Sequence, residues 1–228
     1  MKGQQLRQQQ MASLGRLLAD FSHEMRNHLA VMQEANGLLQ DILTMQGDEA
    51  PPFVASLKDT AAQIGKRVRI CADLCQQLSS MAHRADIPYA SFSVNELLAE
   101  LVVFLERSAR SQQVTLQLEL GQRICSLSSE PALLQYIFYQ LYVFSLDRMS
   151  KGQTMTIRTA QTGETVLISF CLAGVEKTGV TQTDWAALSA IVLPALSLLE
   201  SQLEAVEQTE ANELDCFEFR LLVPVDGF

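Results

Sequence analysis

The stretch Phe21-Ser22-His23-Glu24-Met25-Arg26-Asn27-His28-Leu29 decides how the start of the chain is read, because its polar residues sit inside an apolar repeat without breaking its period. Apolar residues recur at Leu14, Leu18, Phe21, Met25, Met32, Ala35, Leu39 and Ile42, with His28 filling the gap. Steps of four and three residues alternate, which predicts a bundle helix from about residue 8 to 46. With Met25 on the seam, His23 falls on the solvent-facing side, and Asn27 lies one turn further along the same face. An imidazole and a carboxamide can therefore act on one incoming partner. His28 falls on the seam itself, where packing or pairing across an interface is the expected role.

Outward from this helix, Gly47-Asp48-Glu49-Ala50-Pro51-Pro52 ends it, since paired prolines cannot continue a helix. The bundle pattern then repeats at Val54, Leu57, Ala61, Ile64, Val68, Cys71, Leu74, Leu78 and Met81, a second long helix of matching width. Two helices alone leave an apolar face wet, and Leu17, Val31 and Leu38 widen the first beyond a two-stranded seam. A dimeric four-helix bundle, and hence a homodimer, accommodates both. His83, near the end of the second helix, reads as a solvated cap on terminal carbonyls.

Around Ala85-Asp86-Ile87-Pro88 the pattern breaks, dividing the chain into residues 1–86 and 87–228. The second part mixes signals: Tyr89–Val94 extended, Asn95–Gln112 helical, Val114–Leu120 a strand and Pro131–Met149 a helix. Gln153–Thr159 and Thr165–Leu172 then read as a hairpin, Thr183–Ala205 as mostly helical around Pro194, and Cys216–Val223 as a last strand. Helices over one mixed sheet make a two-layer α/β sandwich, so the fold class is α+β: a helical hairpin followed by that sandwich. The aromatic run Tyr136, Phe138, Tyr139, Tyr142 and Phe144 is assigned to core packing, and the acidic region Glu200 to Glu213 to a solvated helix and turn.

Of the 228 residues, 48% are hydrophobic, enough for real cores. Residues 1–86 carry nine basic and nine acidic side chains, and residues 87–228 eight and seventeen, so the net charge of −9 lies in the second part. An acidic surface argues against nucleic acid, whose phosphates need a basic patch. Cys71, Cys75, Cys125, Cys171 and Cys216 are odd in number, lack a Cys-x-x-Cys pair, and read as small buried hydrophobes in a reducing cytosol. MKGQQLRQQQ has no signal-peptide core, and the apolar run Ala186–Leu199 is too short to span a bilayer, so a soluble, cytoplasmic protein without a membrane partner is expected.

Ser22-His23-Glu24-Met25-Arg26-Asn27-His28-Leu29 resembles the H-box of sensor histidine kinases, a phosphorylatable His followed by an acid and, three residues later, Asn or Thr. Asn95-Glu96-Leu97-Leu98, Pro131-Ala132-Leu133-Leu134-Gln135-Tyr136-Ile137, Leu146-Asp147-Arg148-Met149 and Lys151-Gly152-Gln153-Thr154 look like the framework of that family's ATP-binding domain. The resemblance covers nearly the whole chain and implies His23 as phospho-acceptor, Glu24 as the acid that polarises it, and Asn27 as the residue that orients water in phosphatase-competent members. Arg26 is placed to touch a phosphate or a receiver's acidic pocket.

The chain departs from the family at the nucleotide. Phe144 stands where an Asn coordinates magnesium and phosphate, and phenylalanine cannot bind a metal. Leu172-Ala173-Gly174 stands where an Asp reads adenine, and Ala187-Leu188-Ser189-Ala190 where closely spaced glycines close on the triphosphate. His28 replaces the family's usual Pro, removing a source of helix kinking. The resemblance therefore implies a phosphotransfer hairpin beside a degenerate ATPase domain with no cofactor of its own. Imidazole suits phosphoryl relay because a neutral, nucleophilic nitrogen is available at cytosolic pH. A receiver-domain aspartyl phosphate, bringing its own Mg²⁺, would be approached in line. The expected function is a two-component histidine phosphotransfer protein, similar in logic to ChpT-type phosphotransferases, although their pattern around the His differs. The alternatives are a response-regulator phosphatase using Glu24 and Asn27, and a non-catalytic pseudokinase that binds a receiver or a histidine kinase partner.

Overall fold

In a computed structural model that describes residues 2–44, 51–85, 89–174, 181–208 and 216–225, the chain divides into two units, Leu17–His83 and Met1–Arg16 with Arg84–Phe228. The first unit is made by the helix α1 (Lys2–Thr44) from Leu17 onward and by the helix α2 (Pro51–Ala85) as far as His83. The helix α1 starts earlier than the apolar repeat predicts, because the Gln-rich opening is made of good helix formers that need no buried face to stay helical. Pro51 and Pro52 open α2, where a missing N–H costs nothing. Leu17, His28 and Ala35 of α1 and Thr60, Cys71 and Leu74 of α2 are buried. Leu18, Leu29, Leu38 and Val68 are exposed. Expected on the seam, Val68 faces out, and Arg67 is half-buried in its stead.

In the second unit a short antiparallel pair joins β1 (Ala90–Phe92) to β3 (Leu127–Ser129). A five-stranded sheet runs in the order β2-β4-β5-β7-β6. It contains β2 (Thr115–Glu119), β4 (Thr154–Thr162), β5 (Thr165–Ala173), β6 (Gln202–Gln208) and β7 (Cys216–Pro224). Among the described residues, only β2 and β4 pair in parallel. The β4–β5 hairpin closes over Gly163 and Glu164, and Gly163 takes the positive φ of 59° that such a tight turn asks for. Its helices, besides the start of α1, include α3 (Val94–Ser111), α4 (Pro131–Leu146) and α5 (Gln182–Leu198).

Alternation along the strands separates two faces. Met155, Ile157, Ile168, Phe170, Leu172, Phe217, Phe219 and Leu221 form the buried inner face. The helices cover it: Phe138 of α4 packs on Phe170 with ring centroids 5.0 Å apart, and Trp185 of α5 stacks on Phe219 at 5.5 Å. At the start of α3, Asn95 Nδ2 donates to the Gly121 carbonyl at 2.8 Å and Thr159 Oγ1 donates to Asn95 Oδ1 at 2.8 Å, fixing helix to sheet. Between α3 and α4, Tyr142 Oη donates to the Leu105 carbonyl at 2.8 Å, so the buried phenol has a partner. The outer face carries one row that crosses all five strands, Glu119, Arg158, Ser169, Arg220 and Glu204, each paired in register with the next. Arg158 Nε donates to Glu119 at 2.6 Å, and Arg220 holds both oxygens of buried Glu218 at 3.1 and 3.2 Å.

The two-layer sandwich and the β4–β5 hairpin agree with the sequence pattern, and three points differ. Helix α5 stops at Leu198, Glu200 turns the chain with a φ of 50°, and residues 202–208 form β6 where helix was expected. The polar alternation of Gln202-Leu203-Glu204-Ala205 suits an edge strand whose second face is wet. Residues 209–213 of the acidic region lie outside the described residues. β3 is three residues long and has no pattern of its own to announce it. Cys71 is a buried thiol whose pKa burial pushes up, but Cys75 and Cys125 are exposed and Cys171 is disulfide-bonded.

Candidate functional site: the helix of His23 and the filled end of the sheet

His23 lies within α1, as the apolar repeat requires, and its side chain is outside the described residues, as is that of His83. Around it, Arg26 and Asn27 are exposed, Glu24 and Met25 are half-buried, and His28 is 7% exposed. The seam assignment of His28 is correct, and its partners are specific. Glu24 Oε1 lies 3.3 Å from His28 Nε2, an i,i+4 pair within α1. Arg67 NH1 of α2 lies 3.2 Å from His28 Nδ1. Since a guanidinium only donates, Nδ1 must accept, and the tautomer with its proton on Nε2 donates to Glu24. Thus Glu24, His28 and Arg67 form a continuous line of hydrogen bonds across the hairpin. Arg67 was missed from the sequence, where Val68 claimed the seam position. Its signal was a cation one residue off the repeat in the helix that pairs with a buried imidazole.

The α/β unit presents a separate arrangement where α4, α5 and β7 meet. Phe144, near the end of α4, sets its ring edge-on to Phe219 at 5.4 Å. Phe217 meets the same ring at 4.7 Å, and Trp185 lies nearly parallel to it, 6° from coplanar. Arg148 covers the other side of Phe144, its guanidinium carbon 3.4 Å from the ring centroid, while NH1 donates to the Phe144 carbonyl at 2.9 Å. Its NH2 pairs with Asp184 at 2.9 Å, linking the end of α4 to the first turn of α5. Asp184 also closes a capping box with Thr181. The hydrogen bond from the Thr181 hydroxyl, helped by the Thr181 N–H and by Arg148, holds the Asp184 carboxyl below its ordinary range. Gln140, the one polar side chain a turn before Phe144, donates to Ser13 at 2.9 Å. Leu172 is fully buried, and Gly174, with a φ of 80°, accepts from the Gln153 side chain. Ala187 to Ala190 lie inside α5 as ordinary helix. Among the described residues, no group of three or more His, Cys, Asp or Glu is placed to hold a metal, and no helix is long and apolar enough to cross a membrane.

Comparison with known proteins gives these positions a context. The chain is 20% identical over 158 residues to the sensor histidine kinase ZraS of Klebsiella oxytoca, and 23% identical over 162 residues to sporulation kinase C of Bacillus subtilis (strain 168). These matches cover 69% and 71% of the chain. Over that span the chain is similar to sensor histidine kinases. The chain spans about a third of the length of each of these curated proteins, 32% and 35%. The nucleotide-free catalytic domain of histidine kinase ThkA shares its fold at a TM-score of 0.50 in two crystal forms. Identity is 12%, and each match covers 61% of this chain and nearly all of the ThkA domain, 97% and 99%. No protein-family profile matches the chain.

Proposed function

We propose that this histidine kinase relative is a histidine phosphotransfer protein of a two-component pathway, exchanging phosphate between His23 and the aspartate of a receiver domain without an ATP-dependent step of its own. The observation that carries the reading is the packing of Phe144 between Arg148 and Phe219, with Trp185 behind. Phe144 stands at the position that resembles the family's metal-binding Asn, and a benzene ring offers neither a lone pair for Mg²⁺ nor a donor for phosphate. Prying it out to admit a triphosphate would expose Phe219, which is fully buried, and separate Arg148 from Asp184. The residues present therefore do not suit Mg-ATP, and no step is assigned to it.

What remains is a hairpin that presents the H-box to a partner. The partner's Mg²⁺ and aspartyl phosphate would supply the electrophile, and His23 the nucleophile. The exposed side chains of Asn27 and Arg26 lie beside that turn and are accessible to a docked receiver. Exposed Asn27 equally favours a second reading, in which its carboxamide orients water and the protein removes phosphate from the receiver. The exposed Leu18 and Leu29, with half-buried Met25 and Met32, continue one apolar stripe along α1 and support a homodimer of the hairpin.

The test is transfer from receiver domains charged with radiolabelled acetyl phosphate. The relay reading expects label on the wild-type protein and none on His23→Ala. Release of inorganic phosphate that Asn27→Ala abolishes selects the phosphatase reading. Receiver binding that persists with neither transfer nor release leaves a pseudokinase that only docks. Calorimetric binding of Mg-ATP in the micromolar range would overturn the claim about the α/β unit.

A further inference from the structure

We infer that His28 and Arg67 are positioning residues for the phosphotransfer turn: the imidazole, itself oriented by a guanidinium from the opposite helix, sets where the Glu24 carboxylate stands beside His23. The inference rests on the phosphotransfer reading and names two residues that reading does not use.

A glutamate on an exposed helix face samples many rotamers, and a reacting group next to it would have to wait for the useful one. Glu24 is not in that condition. Its side chain is 27% exposed, and Oε1 is 3.3 Å from the Nε2 of His28, whose own side chain is 8% exposed. A buried imidazole cannot swing freely, and this one is further fixed because Arg67 NH1 reaches its Nδ1 at 3.2 Å. One donor thus faces Nδ1 and one acceptor faces Nε2, which selects a single tautomer and a single ring orientation. The carboxylate is left with Oε1 tied toward the hairpin core. The line also joins the helix that carries His23 to α2, so a shift between the helices moves Glu24 along with them.

A proline at position 28 could not do this. It has no side-chain donor, and it would remove the helical N–H at the same place. A glutamine could, because a carboxamide offers an N–H and a carbonyl oxygen in one plane and can face Glu24 and Arg67 together. That difference separates positioning from mere filling of the seam.

The experiment uses the full chain and a receiver domain that passes label to the wild type, comparing His28→Ala, His28→Gln and Arg67→Ala for transfer rate, half-saturating receiver concentration and circular dichroism. Positioning expects a roughly ten- to hundredfold slower transfer in His28→Ala and Arg67→Ala. It also expects unchanged half-saturation and helicity, and recovery of most of the rate in His28→Gln. Nitrogen NMR of the histidine side chains expects the Nε2-protonated tautomer at His28, and its loss in Arg67→Ala. Transfer by His28→Ala at the wild-type rate, or failure of His28→Gln to do better than His28→Ala, would overturn the inference while leaving phosphotransfer through His23 intact. A wild type that accepts no label from any receiver, with the tautomer as expected, would overturn the phosphotransfer reading and the positioning role with it.

Discussion

Asp184 shows how much one side chain does in the α/β unit. It accepts from Thr181 at the start of α5 and from Arg148 at the end of α4, and these contacts hold its pKa below the ordinary 3.8. A carboxylate whose folded value is depressed contributes stability that is present above its unfolded value and lost as pH falls through the folded one. Urea midpoints measured between pH 6 and pH 2 should therefore be insensitive to this group down to about pH 4 and decline below it. Asp184→Asn should show a smaller decline in that acid window, with the remainder set by the other carboxyls; an unchanged acid profile would remove Asp184 from the link. At this scale the sequence was partly readable. His28 belonged to the seam by its spacing, but Arg67 did not, because alternating steps of three and four leave two neighbouring positions open and hydrophobicity favours Val68. The half-buried place is taken by the cation, which reaches the buried imidazole opposite.

Among the elements, α4 and β7 carry the aromatic cluster on which the proposed loss of nucleotide binding rests. Phe219 makes ring contacts with Phe144, Phe217 and Trp185 and is fully buried. Phe219→Ala should lower the stability of the unit by ~3–5 kcal/mol, the usual cost of emptying a buried aromatic site, as read by chemical denaturation. A loss below about 1 kcal/mol would mean that the cluster relaxes around the gap. Strands and helices with a buried face announced themselves, as in the hairpin of β4 and β5 and in the helix α3. β6 did not, because an edge strand with one wet face reads as a polar segment, and its pairing with β7 is a property of β7's inward Phe219 and Leu221. The aromatic cluster was legible only as core; that it joins three elements depends on register, which no local pattern records.

For the whole molecule, the boundaries between the two units fall between Arg16 and Leu17 and between His83 and Arg84. What the sequence could not give is that Met1–Arg16 groups with the α/β unit, since α1 runs unbroken through the boundary. If exposed Leu29 lies in a dimer interface, Leu29→Glu should halve the mass seen in sedimentation equilibrium while leaving α-helical ellipticity within about a tenth of wild type. A wild-type protein that sediments as a monomer at tens of micromolar would remove the dimer.

The charged row on the outer face of the sheet also acts as a gauge of alignment. With Glu119 beside Arg158 and Arg220 beside Glu204, each outer strand meets its neighbour through one opposite-charge pair, and the neutral Ser169 separates the two arginines. A slip of β7 by two residues keeps the faces correct yet moves Arg220 off both Ser169 and Glu204, and a slip of one turns Phe219 out to water. Misaligned sheets are thereby penalised on both faces during assembly, which suits a domain whose central strands join residues as far apart in sequence as β4 and β7 border through β5.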